Sequence, residues 1–273
     1  MREVQCELLV QLALFRSIHP KATIDECRAY LHNRDPNVEP FSPSQIHRAE
    51  ELLDLHRKAA STTAEQAYLP VNLTKRRWYW EMEYPHGMVG VQTRDILDID
   101  EAGFMVESSN RKFGKVRREF RCDESGPFIR NTKLNLLLCV GADDDDCVTF
   151  HDTWVGEGTT LWRFYSFMQR LITYLAIHHA GRSFCFTMDN LNVHRNQMIE
   201  DLIFDGGHRI VYRAPYWSCD GSIEYVFNTI HTKLQWYYKE INNLEQLENT
   251  MNLIIGGFTT FKKYFVHVGF PDY

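Results

Sequence analysis

The sequence predicts an α/β fold, a mixed sheet flanked by helices, preceded by a small all-α region patterned like a helix-turn-helix. Two helix-start signatures lie within the first 58 residues, and beyond Asp95 short apolar segments alternate with amphipathic ones. Charge divides the same way. Residues 1–94 hold 12 Lys and Arg against 12 Asp and Glu, whereas residues 95–273 hold 18 against 24. The expected organisation is therefore a helix-turn-helix region at 1–58, a linker at 59–94 and an α/β domain at 95–273.

The first helix covers Glu3 to Phe15 and is rich in leucine. Thr23-Ile24-Asp25-Glu26 is a capping box, in which hydroxyl and carboxylate satisfy each other's free amides, and the helix it starts runs to about Leu31. Ser42-Pro43-Ser44-Gln45 repeats the signal, with proline at the first helical position, where its missing N–H goes unused. In this third helix Ile46, Ala49, Leu52 and Leu53 share one face, which leaves Ser44, Gln45, His47 and Arg48 pointing away. Those four would enter the major groove if the motif binds DNA; a small bundle that touches no DNA has the same pattern.

From Ala59 to Arg94 the periodicity weakens. Lys75-Arg76-Arg77 followed by Trp78-Tyr79-Trp80 could meet phosphates, but packing of the aromatic rings on the next domain is the favoured expectation. Strands are expected at Ile96 to Ile99, Leu134 to Val140, Val148 to Trp154, Phe184 to Met188 and Arg209 to Tyr212. Helices are expected at Leu161 to His178 and His194 to Phe204, and another starts near Ser222.

Composition excludes several classes. With 44% hydrophobic and 24% charged residues the chain is no disordered tail, and its apolar run Leu8 to Phe15 is too short for a membrane span or a signal core. Seven cysteines without a Cys-x-x-Cys pair fit neither a disulfide framework nor a structural zinc site, which points to a reducing compartment. A net charge of −6 argues against coating nucleic acid by charge alone, so local patches must do any such work.

Three carboxylates fall where the sheet would present them. Asp100 follows the strand Ile96 to Ile99, Asp189 follows Phe184 to Met188 and precedes Asn190, and Glu224 starts the helix after Arg209 to Tyr212. Acids at the ends of neighbouring buried strands repel unless a cation joins them, and oxygen-only ligands favour Mg²⁺ or Mn²⁺.

At these residues the sequence resembles the DDE transposases of the mariner-like superfamily and their bacterial insertion-sequence relatives. Asp100-Glu101-Ala102-Gly103-Phe104 resembles the first block, Asp189-Asn190 with His194 the second, and Ala214-Pro215-Tyr216 through Ile223-Glu224 the third. The 34 residues between Asp189 and Glu224 match the family's spacing, and Tyr264 to Phe270 resembles its closing motif. The resemblance implies a ribonuclease H-like fold with Asp100, Asp189 and Glu224 as catalytic residues and ligands of two Mg²⁺ (or Mn²⁺) ions, with Asp98 and Glu101 as neighbours. It also implies metal-dependent cleavage and strand transfer on double-stranded DNA, at terminal inverted repeats and a target, by a homodimer. Location would be nuclear in a eukaryotic host and cytoplasmic otherwise, with no membrane association.

Strand alternation sends Asp98 to the same face as Asp100, which makes it the substitute ligand. His194 could touch DNA or the scissile phosphate, or make a helix-start hydrogen bond. Between Arg111 and Arg121, Arg111, Lys112, Lys115, Arg117, Arg118 and Arg121 face one acid, Glu119, a composition suited to phosphate contacts or to a solvated hairpin. Asp143 to Asp146 lack the pattern of a calcium loop and suit a solvated turn. The chain departs from the family at Trp217, Cys219 and Gly221-Ser222, where Asn-Pro is usual before Ile-Glu, and it shows one helix-turn-helix where two are common. A domesticated or truncated DNA-binding protein that keeps the fold without catalysis is the alternative function, and a cellular ribonuclease H-like nuclease a further one.

Overall fold

Both helix-start signatures form. In the computed structural model, which describes residues 3–36, 39–56, 64–109 and 133–272, the chain divides into two compact units, Met1–Thr62 and Thr63–Tyr273. The first holds α1 (Glu3–Ile18), α2 (Ile24–Arg34) and α3 (Pro43–Leu52). Thr23 Oγ1 accepts from the Glu26 amide at 3.2 Å while Glu26 accepts from the Thr23 amide at 2.5 Å, and Ser42 and Gln45 do the same ahead of α3. Leu12, Cys27, Leu31, Ile46 and Ala49 form the core of this unit. Arg16 Nε donates to Glu50 at 2.9 Å and so ties α1 to α3. Eight residues, Asp35 to Ser42, join α2 to α3, longer than the turn of about three or four residues in the compact form of the motif.

The second unit opens with α4 (Pro70–Glu81), which carries the basic and aromatic cluster. Tyr79 is buried in the core, Trp80 lies 5.1 Å from Phe270, and Arg76 Nε and Nη2 grip Asp220 at 2.7 and 2.8 Å while the guanidinium stacks on Trp217 at 3.9 Å. Residues 64–94 thus pack into the α/β unit and are not a linker; the weak periodicity there reflects side chains anchored individually and not along one helical stripe.

The remaining order is β1 (Ile96–Phe104), β2 (Leu134–Gly141), β3 (Thr149–Val155), α5 (Leu161–His178), β4 (Cys185–Met188), α6 (Gln197–Asp205), β5 (Arg209–Tyr212), α7 (Ser222–Leu234), α8 (Leu244–Gly256) and α9 (Lys262–Val268). The five strands lie in the order β3-β2-β1-β4-β5. The two pairs on the β3 side are antiparallel and the two on the β5 side are parallel. Helices cover both faces: Ile96, Leu136 and Leu138 pack with α7, α8 and α9, and Leu97, Ile99 and Leu137 pack with α5 and α6. Gly269 ends α9 at φ +116°, a left-handed cap that suits glycine.

Two boundaries differ from expectation in ways that matter. β1 continues through Phe104 because β2 pairs with it residue for residue from Leu97 to Phe104, so Asp100 sits inside a strand. Its pairing with β4 stops at Asp98↔Thr187, however, and Asp100 lies just past the end of that neighbour. α6 begins at Gln197 under an Asn196 cap, so His194 belongs to the turn before it.

Candidate active site

Because β1 alternates faces, Asp98 and Asp100 point toward the α7 side and Glu101 toward the α5 and α6 side. Extending the β1–β4 register by two residues sets Asp100 opposite Asp189, which leaves the end of β4 directly. Glu224 stands in the first turn of α7. All three carboxylates expected from the sequence therefore gather at the same end of the sheet, and each is half-buried.

Their surroundings differ. Asp100 Oδ1 accepts from the Glu101 amide at 2.8 Å and Oδ2 from Arg213 Nη2 at 2.9 Å. Burial nonetheless pushes its carboxyl up to about 7, with Asp189 and Glu101 adding to the rise and Arg213 opposing it. Asp189 is also raised by burial, but His194, the Leu191 amide and Arg213 outweigh that and hold it below the usual carboxylate range. Its hydrogen bonds from described residues, His194 Nδ1 at 2.5 Å and the Leu191 amide at 3.2 Å, fall on Oδ1. Glu224 accepts no hydrogen bond from a described residue, and burial with the charges of Asp98 and Asp189 raises it.

Asp98 corrects an expectation. It is 2% exposed and fully engaged, accepting from Thr187 Oγ1 (2.8 Å), Arg213 Nη1, Ser222 Oγ (2.7 Å) and the Ile223 amide (3.0 Å). A carboxylate with four donors is no substitute metal ligand. Arg213, 3% exposed and placed just after β5, supplies the positive charge between Asp98 and Asp100. Sequence reasoning passed over it, and the only sequence signal was an arginine directly after an apolar strand.

His194 is also corrected. Its ring is 0% exposed, 4.5 Å from Phe164, with Nδ1 on Asp189 and Nε2 3.2 Å from Glu101 Oε2. It has no surface to offer DNA, and it joins the second block to the first. Burial alone would lower the imidazole, but the two carboxylates raise it to about 9. Both ring nitrogens then donate at neutral pH.

The sign of the pH dependence follows. His194 binds its proton more tightly folded than unfolded, so its contribution to stability is complete below about 6.5 and is lost as pH rises through about 9. Asp100, whose folded value of about 7 lies above its ordinary 3.8, pushes the same way. Urea midpoints of the metal-free chain are expected to fall between pH 6.5 and 9, and His194→Gln should flatten that fall; parallel profiles for the two proteins would remove His194 as its source.

Ser44, Gln45, His47 and Arg48 are all exposed on α3, although Gln45 is engaged in the cap and His47 Nδ1 lies 3.4 Å from Glu50. The basic residues Arg111, Lys112, Lys115, Arg117 and Arg118 lie outside the described residues. Within the acidic turn, Asp143 and Asp146 pair with Arg182, and Asp146 Oδ2 also lies 2.7 Å from His179 Nδ1.

The donor set suits a divalent cation: three carboxylates, two of them raised by burial and by neighbouring carboxylates, one accepting no hydrogen bond from a described residue, and no thiol among them. Among the described residues no group of three or more His, Cys, Asp or Glu side chains is drawn together closely enough to hold an ion.

No family model and no curated protein matches the sequence. Among solved structures, the chain is similar to a Mos1 transposase paired-end complex with the left transposon end, at 14% identity over 95% of this chain and 74% of that one, with a TM-score of 0.66. It is also similar to the Mos1 mariner paired-end complex with Mn, at 13% identity over 98% and 94% of the two chains (TM-score 0.61), and to the corresponding complex with Mg, at 13% over 94% and 73% (TM-score 0.65). The ribonuclease H-like mixed sheet preceded by a helical region is the fold they share.

Proposed function

We propose that this chain is a mariner-like DDE transposase, which cleaves phosphodiester bonds and transfers strands at transposon ends with the help of Mg²⁺ or Mn²⁺. The observation that carries the reading is the convergence of Asp100, Asp189 and Glu224 from three elements at one end of the sheet, in a fold shared with transposases solved on transposon-end DNA. Asp100, Asp189 and Glu224 would hold two ions, whose chemistry is to activate the attacking oxygen and stabilise the leaving 3′-oxygen of an in-line displacement. The chain's own residues prepare that place. His194 holds Asp189 by one oxygen and, among the described residues, leaves Oδ2 without a donor, while Arg213 and the Glu101 amide fix the plane of the Asp100 carboxylate. The partner is double-stranded DNA, terminal repeats and target, bound by a homodimer because two ends must be paired.

Incubating the full chain with labelled end DNA in Mg²⁺, in Mn²⁺ and in EDTA tests the reading: nicks confined to the metal-containing samples support it, and none in any sample refutes it. A second reading, a DNA-binding protein that keeps the fold without cleaving, draws on the guanidinium that already neutralises Asp100. The same assay separates the two.

Recognition is assigned to the outer face of α3, and the basic residues Arg111 to Arg118 to the DNA backbone. Arg48 is exposed there, so Arg48→Ala is expected to weaken binding to end DNA about tenfold at fixed salt and to leave the melting temperature in place. Equal affinities by fluorescence anisotropy would return α3 to a bundle helix with no DNA contact.

A further inference from the structure

α7 carries Glu224 but has no cap of its own. Its N-cap is Gly221, and no side chain at that position accepts from its first amides. Asp98 fills the role from β1. Its Oδ2 accepts from the Ile223 amide at 3.0 Å and the Ser222 hydroxyl at 2.7 Å, which puts a carboxylate at the positive end of the helix dipole. Oδ1 holds Thr187 of β4 and Arg213 Nη1, and Arg213 Nη2 continues to Asp100. Gly221 completes the arrangement: a Cβ there would stand 3.0 Å from Arg213 Cζ, closer than carbon contacts ordinarily come. The two residues that replace the family's Asn-Pro are thus fitted to this pair, one by its hydroxyl and the other by having no side chain.

We propose that Asp98 is the positioning residue of the site, one buried carboxylate that fixes Glu224 through the first turn of α7 and Asp100 through Arg213. An ion pair that served stability alone could lie anywhere in the core. This one reaches the residue two before Glu224 and bonds the amide directly before it, and it starts two residues ahead of Asp100. Outer contacts that orient ligating carboxylates commonly govern metal affinity.

The proposal rests on Asp100 and Glu224 being metal ligands. Its test uses the full chain in three measurements: Mn²⁺ titration followed by the EPR signal of the free ion, melting temperature, and nicking of end DNA resolved into kcat and KM. Ser222→Ala removes one hydrogen bond from the node and leaves both charges. It is expected to bind Mn²⁺ about tenfold more weakly and to lose about tenfold in kcat with KM unchanged. Arg213→Lys keeps the charge but cannot span two carboxylates, and is expected to lose more than Ser222→Ala in both readouts; should it fail to fold, Ser222→Ala decides alone. Wild-type Mn²⁺ affinity and kcat in Ser222→Ala, with only a lowered melting temperature, would overturn the proposal and leave the metal assignment standing. Unchanged Mn²⁺ binding in Asp100→Asn, or none in the wild type, would overturn the metal assignment and the proposal with it.

Discussion

Asp189→Asn is expected to abolish metal-dependent nicking while the protein stays folded. The substitution keeps the size of the side chain, and the new amide oxygen can still accept from His194, whose ring lies 2.5 Å from the present carboxylate. What disappears is the negative charge that would hold the ions on this side of the site. Metal stabilisation of developing charge is worth several kcal/mol, so the nicking rate should fall by about a thousandfold or more. His194 loses one of its two carboxylates, so a melting temperature lower by up to about 5 °C fits a modest local loss. Nicking of labelled end DNA by purified protein, with circular dichroism on the same sample, measures both. A variant that cleaves at the wild-type rate would remove Asp189 from the site.

The second large effect concerns stability. Arg213→Met fills the space of the side chain but leaves the buried Asp98 without its partner, and Asp100 without the donor on Oδ2. Breaking a buried pair from one side destabilises by about 3–5 kcal/mol, which in a unit of this size lowers the melting temperature by about 6–20 °C. Removing Asp98 as well, in Asp98→Asn with Arg213→Met, should give back only part of the loss, because Thr187, Ser222 and the Ile223 amide still need an acceptor there. Urea unfolding of the two single variants and the double variant gives the coupling. A single-variant loss below about 1 kcal/mol would show that water reaches the pair.

That the three candidate carboxylates would meet at one end of the sheet was legible because each follows a plain apolar run or opens a helix. The node beneath it was not. Asp98 meets Thr187, Arg213 and Ser222 at separations of 89, 115 and 124 residues, and no pattern along the chain marks which distant donor a buried acid will find. Strand alternation put Asp98 and Asp100 on one face, yet the same alternation gave no sign that one would be saturated and the other left half-open. His194 was misplaced for a smaller reason, a helix start read three residues early, since Asn196 caps α6. Residues 64–94 were hard to read because their anchors are individual contacts, Tyr79 in the core and Arg76 on Asp220.

That last grip sets a boundary for anyone dividing the molecule. Arg76 of α4 clasps Asp220 and Trp217, in the loop that runs into α7, across 144 residues of sequence. A fragment cut at Asp95, where the strands begin, would retain all three carboxylates and the five strands of the described sheet. It would lose the brace on the loop before Glu224 and the buried Tyr79 ring, and it would expose Phe270 where Trp80 had covered it. The smallest autonomous piece therefore begins near residue 64, about thirty residues before the first strand, and a shorter one should be expressed as an aggregate rather than as a folded domain.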